Sequence, residues 1–118
     1  MFINRLLDMM KQEPLVFVNE EKLSYIYQFI AGFCYGGAKN NLPDNDMDCE
    51  FGCWFWKWLL QWIEENVDAK YTPESCHWDD DIKAIAGGEE NEVSMFYKLC
   101  ELFFEDYENK RGYFEWRK

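Results

Sequence analysis

The hydrophobic pattern of the chain is clearest between residues 49 and 68, where CEFGCWFWKWLLQWIEENVD carries four of the six tryptophans. At about 100° per residue, one broad side holds the apolar residues Phe51, Phe55, Trp58, Leu59, Trp62, Ile63 and Val67. The polar stripe opposite is narrow, so the segment predicts a central helix that other helices surround. Trp54 falls within that stripe, and an exposed tryptophan is unfavourable unless a partner covers it.

Two helices are predicted before the central one. Residues 2–12 show helical spacing of apolar residues, and Pro14 stops the pattern. The apolar stretch Leu15–Val18 is interpreted as a brief extended segment that packs on the core. Asn19 is a favourable N-cap, followed by two glutamates, for a second helix that ends near Gly36-Gly37.

Two more helices are predicted after the central one. Thr72-Pro73 fits an N-cap followed by proline at the first helical position, which predicts a fourth helix that ends at Gly87-Gly88. A fifth helix is predicted over about 90–109. Together these elements predict an all-α fold, a single-domain bundle of about five helices formed by residues 1–118 around the central helix.

The net charge of the 118-residue chain narrows its range of partners. A charge of −11 and a pI near 4.4 accompany 48% hydrophobic residues, so the chain is a folded domain with a negative surface. Its carboxylates cluster at residues 44–50, 64–68, 74–81 and 89–92. Such a surface repels nucleic acid and anionic lipid and attracts a basic protein. We therefore expect no nucleic-acid or membrane partner.

The cysteines and the start of the chain favour the cytoplasm. Five cysteines at irregular spacing do not fit a secreted disulfide framework. The first 14 residues lack an apolar run of signal-peptide length, and the longest apolar run, in the central helix, is too short to span a bilayer.

Two motifs resemble metal sites, but neither is complete. Asp44, Asp46 and Asp48 copy the opening of a calcium loop, yet Cys49 and Phe55 occupy the positions that need glycine and glutamate. We therefore interpret these aspartates as a solvated acidic loop that leads into the central helix.

The second incomplete motif pairs the cysteines with the single histidine. Cys49 and Cys53 lie one helical turn apart and Cys76 adjoins His77, without the spacing of a zinc site. The cysteines are expected to be small core residues. His77 is expected on the outer face of the fourth helix, among carboxylates, where it would not serve as a catalytic base. No catalytic residue, cofactor or metal is predicted.

The acidic clusters beside aromatic residues favour a protein-binding face. Carboxylates would steer a basic partner and pair with its lysines and arginines, while rigid aromatic side chains provide the anchor. The predicted face combines the outer side of the fourth helix with the acidic loop and the exposed tryptophan: Glu74, Asp79, Asp80, Asp81, Asp44, Asp46, Asp48 and Trp54. Among these residues Asp79 lies nearest the buried edge of its helix.

Residues 23–107 also carry a sequence resemblance. The chain reads FIAGF at 29–33, then Phe51, Phe55 and Trp58-Leu59, then Trp78 and Ile82, then MFYKLCELFF at 95–104. This order is similar to that of small acidic all-helical immunity proteins from bacterial polymorphic and contact-dependent growth inhibition toxin systems. The resemblance implies a dedicated inhibitor that binds one toxin and blocks its active site or substrate channel.

The leading hypothesis is a non-enzymatic immunity protein that neutralises a basic cognate toxin, with a nuclease as the expected activity. One alternative is a nucleic-acid-mimicking inhibitor from a phage or mobile element, which would accept several basic partners. A second alternative is a small helical ligand-binding protein or enzyme, which requires the tryptophans to enclose a cavity.

Overall fold

Helices form all the regular structure that the described part of the chain contains. The structure is a computed structural model that describes residues 3–39, 46–73, 75 and 77–109, without the side chains of residues 35–39, 46–50, 52 and 53. The helices are α1 (Ile3–Gln12), α2 (Leu23–Lys39), α3 (Asp46–Asn66), α4 (Trp78–Ala86) and α5 (Glu89–Asn109), with a 3₁₀ turn at Pro14–Val16. The predicted all-α, single-domain bundle of about five helices is confirmed.

The core is an aromatic cluster centred on Phe55 of α3. The Phe55 ring is fully buried, and its centroid lies between 4.6 and 6.3 Å from the centroids of five other rings, those of Phe51, Trp58, Trp78, Phe96 and Phe103. Three of these five contacts are edge-to-face, an arrangement that places the positive edge of one ring against the negative face of another. The cluster joins α3, α4 and α5, as expected for a central aromatic helix.

The amphipathic helix α1 covers another part of this core. Its buried side consists of Ile3, Leu6, Leu7 and Met10, at the spacing of one helical face. The helix ends at Gln12, two residues before Pro14, as the sequence predicted. None of the helices in the described residues is long and apolar enough to cross a membrane.

The segment after α1 differs from its prediction. Leu15 and Val16 are each 69% exposed in the 3₁₀ turn, so the apolar stretch does not pack on the core as an extended segment. Phe17 alone makes a described aromatic contact here, at 5.6 Å from Phe29 of α2 between ring centroids. The 3₁₀ turn that begins at Pro14 leaves the Leu15 and Val16 side chains in solvent.

The start of α4 was predicted wrongly at Thr72-Pro73, since the helix begins at Trp78. The reason is a tertiary hydrogen bond: the Tyr71 hydroxyl donates to Asp81 Oδ1 at 2.5 Å. A continuous helix would separate these two residues by about 15 Å along its axis, beyond the reach of a tyrosine side chain. The chain therefore folds back through an irregular connection before α4.

The start of α2 also differs from its prediction. The helix begins at Leu23, after the glutamates that the sequence placed in its first turn.

Tyr97 of α5 is buried with its hydroxyl unpaired. The residue is 7% exposed, and no hydrogen-bond partner lies within reach of the oxygen. Burial, with smaller contributions from the charges of Glu21 and Cys100, raises the pKa of Tyr97 to about 12. The phenol ionises near 10 in the unfolded chain, so the free energy of unfolding keeps its full value below that pH. As the pH rises towards the folded value, the unfolded chain releases the proton first and the free energy of unfolding falls.

We expect Tyr97→Phe to raise the free energy of unfolding near neutral pH by about 1 kcal/mol, because an unpaired buried hydroxyl is removed. The advantage of the variant should widen between pH 9 and 11, where only the unfolded wild type releases the phenolic proton. Urea unfolding of both proteins across this range measures the difference, with Tyr25→Phe at an exposed ring as the matched control. A constant difference would contradict the assignment.

Candidate functional site

Two of the three aspartates predicted to form the acidic face of α4 are buried. Of its three aspartates, Asp80 is exposed, but Asp79 is 6% exposed and Asp81 is fully buried. Placing Asp81 on the outer surface was therefore wrong. Glu74 and Asp44 lie outside the described residues, and Asp46 and Asp48 belong to the first turn of α3, where side chains are not described.

Asp81 instead joins three parts of the fold. Its Oδ2 accepts a hydrogen bond from Trp56 Nε1 at 3.0 Å, and its Oδ1 accepts the bond from the Tyr71 hydroxyl. These bonds tie α4 to α3 and to the connection that follows it. Tyr71 is half-buried at this contact. A fully buried carboxyl group with two such donors has a structural role in this fold.

Trp54 is partly covered. Its ring is half-buried, and the ammonium group of Lys57 lies 5.4 Å from the ring centroid, within the range of a cation–π contact. The two residues share the polar stripe of α3, as the sequence pattern placed them. A role for Trp54 in partner binding stays a prediction.

The remaining α4 residues form a small polar cluster at the start of the helix. Asp79 Oδ2 lies 3.8 Å from Lys83 Nζ one turn later, and Asp80 Oδ2 accepts a hydrogen bond from Ser75 Oγ at 2.8 Å. Burial, followed by the charge of Asp80, raises the pKa of the Asp79 carboxyl group. His77 is exposed, as predicted, and its ring lies 5.3 Å from that of Tyr27.

A second surface, which we call the α3–α5 groove, combines carboxylates with aromatic rings. It encloses about 330 Å³ and is lined by Trp58, Gln61, Trp62 and Glu65 from α3 and by Leu102, Glu105, Asp106 and Asn109 from α5. Trp62 is half-buried, whereas Glu65 and Glu105 are exposed. Trp58 Nε1 donates to Asp106 Oδ2 at 3.0 Å and thereby fixes one carboxylate at the groove.

The charges around this groove are unfavourable for the isolated helices. The last turn of α3 contains Glu64 and Glu65, and the last turn of α5 contains Asp106 and Glu108, with no basic residue in either. An exposed carboxylate at a helix C-terminus interacts unfavourably with the helix dipole and destabilises the helix by about 0.3–1 kcal/mol. Helix stability therefore does not explain these acidic residues, and we take the groove as the candidate binding surface.

Sequence reasoning found half of this surface. The acidic cluster at residues 64–68 was recognised, but the acidic residues at the end of α5 were not. The available signal was their position, because four carboxylates between Glu101 and Glu108 occupy the end of a helix where basic residues are favoured. Their proximity to Trp62 depends on how α3 and α5 pack, which no local pattern indicates.

No protein-family model matches the chain, and neither a curated protein nor a solved structure matches it significantly.

Asp81 and Asp80 provide a matched pair of substitutions. Asp81→Ala should lower the free energy of unfolding by about 3 kcal/mol or more, because a fully buried carboxyl group is removed and the half-buried Trp56 and Tyr71 donors both lose their acceptor. Asp80→Ala deletes the same atoms from an exposed position and should stay within about 1 kcal/mol of wild type. Chemical denaturation measures both. Similar losses in the two variants would mean that Asp81 does not connect the helices.

Proposed function

We propose that this chain is a non-enzymatic immunity protein that acts in the cytoplasm by binding and neutralising a basic toxin, with a nuclease as the expected target. The observation that carries the proposal is the α3–α5 groove, a concave acidic surface with tryptophan in its wall at the ends of two helices. The sequence resemblance to small acidic immunity proteins supports the same conclusion.

The charge of the chain suits an inhibitor that must find its target quickly. With −11 overall, its field attracts a positively charged protein from a distance, which raises the association rate. A nuclease has a positive substrate groove because it binds phosphates. Carboxylates at the groove, such as Glu65 and Glu105, would take the place of those phosphates and cover the catalytic surface.

The residues of the groove fit the side chains that a basic partner would present. An arginine guanidinium can stack on an indole face, here that of Trp62, while it donates two hydrogen bonds to a carboxylate. Glu65 and Glu105 line the same groove as Trp62 and supply the acceptors. Such a combination of a rigid aromatic residue and a charge is typical of interface hot spots.

The direct test is co-expression. The C-terminal domain encoded by the reading frame immediately upstream is induced with and without this protein, and growth and co-purification are scored. Relief of toxicity with a stable one-to-one complex is the expected result. Binding to several unrelated basic proteins, without relief of a particular toxin, would favour the nucleic-acid mimic instead.

Charge reversal tests whether the α3–α5 groove is the surface that binds the toxin. Glu65→Lys with Glu105→Lys should weaken toxin binding at least about a hundredfold, since two central ion pairs become repulsive contacts. The matched control, Glu13→Lys with Glu20→Lys, makes the same change of net charge at exposed residues outside the groove. It should mainly slow association.

The comparison is made by surface plasmon resonance at low and high salt, where wild-type association should slow as ionic strength rises. Equal weakening by the two double variants would show that overall charge matters while this groove does not.

A further inference from the structure

Three potential metal ligands meet at the start of α4. One ring nitrogen of His77 and one carboxylate oxygen each from Asp79 and Asp80 all lie within 4.8 Å of one another. His77 precedes the helix in an extended conformation, so its side chain approaches those of the first helical turn. The sequence motif paired His77 with the cysteines, whereas the fold brings it together with Asp79 and Asp80.

A second observation distinguishes this group from an ordinary exposed acidic cluster. Asp79 is more than nine-tenths buried, and its Oδ1 has no hydrogen-bond partner. The other oxygen, Oδ2, faces Lys83 at 3.8 Å. A buried carboxylate oxygen without a partner is unfavourable, and bound cations are among the partners that satisfy such groups in proteins.

We propose that His77, Asp79 and Asp80 bind a divalent transition-metal ion of the zinc type, with Asp79 as the buried ligand. One imidazole nitrogen and two carboxylate oxygens are a ligand set that zinc accepts, and an alkaline-earth ion would be expected to use oxygen ligands alone. Three protein ligands leave a position for water. The ion would add a second cation, beside Lys83, to the buried Asp79 carboxylate.

Neighbouring residues hold the ligands in place. Ser75 Oγ donates to Asp80 Oδ2, as outer-shell donors do for metal-bound carboxylates, and the Tyr27 ring lies beside the His77 imidazole. Lys83 is 40% exposed at its side chain, so its ammonium group can move into water when a cation binds. Ligation would tie the connection before α4 to the first turn of that helix.

This site is separate from the α3–α5 groove, because no residue lines both. A bound divalent cation would cancel the charge of Asp79 and Asp80 and would remove their attraction for a basic partner. The metal proposal therefore stands independently of the proposed toxin binding, and it favours the groove over α4 as the acidic binding face.

Calorimetric titration of the metal-free full-length protein with zinc chloride near neutral pH tests the proposal. We expect a single zinc ion per chain and a rise in the thermal unfolding midpoint, because the ion binds the folded state. His77→Ala, Asp79→Asn and Asp80→Asn should each weaken binding at least about tenfold, with Asp68→Asn, at an exposed aspartate, as the matched control.

Thiolates also bind zinc, so Cys76→Ser is titrated alongside, and it should retain the site. Circular dichroism checks that each variant is folded; His77 and Asp80 are exposed, so their variants keep the proposal testable if Asp79→Asn does not fold. The proposal is overturned if wild type binds no zinc. It is also overturned if the His77 and Asp80 variants bind as tightly as wild type, whether or not Cys76→Ser abolishes binding.

Discussion

The indole N–H of tryptophan constrains this fold, because a core rich in tryptophan must contain hydrogen-bond acceptors. Trp56 and Trp58 point to different neighbours of α3, and each donates to an aspartate, Asp81 of α4 and Asp106 of α5. Both bonds span helices that are distant in sequence, so they fix which residues of α4 and α5 lie against the central helix. The aromatic cluster around Phe55 provides burial, and these two directional bonds favour one packing among many that would bury similar area.

The same constraint divides the carboxylates into two groups. Asp81 and Asp106 are hydrogen-bonded to indoles, whereas the glutamates at the ends of α3 and α5 are exposed. Net charge alone cannot separate these groups, and the prediction that Asp81 lies on the outer side of its helix was wrong. These exposed glutamates are the carboxylates that would attract a basic partner, since they keep their full interaction with solvent and with approaching charges.

The predictions that succeeded depend on local patterns. Helical periodicity placed α1, α3 and α5 within a few residues of their observed limits, because each has an apolar stripe long enough to define a face. The prediction of where α4 starts failed because the bond between Tyr71 and Asp81 overrides the favourable Thr72-Pro73 signal. The prediction that Leu15 and Val16 are buried failed for a related reason, since hydrophobicity without a partner element does not determine burial. The α3–α5 groove depends on packing between helices and was only half predictable.

Asp106 connects the core with the candidate binding surface. Its Oδ2 is held by Trp58, whose ring packs edge-to-face against Phe103, so one carboxylate of the groove is positioned by the hydrophobic core itself. A group fixed in this way loses little conformational freedom on binding, which favours affinity, whereas the exposed side chains of Glu65 and Glu105 would lose more of it. The groove therefore combines a carboxylate held by the core with exposed charges that would contribute chiefly to attraction at a distance. The proposed inhibition would need both, because fast encounter without a rigid contact would be followed by fast dissociation.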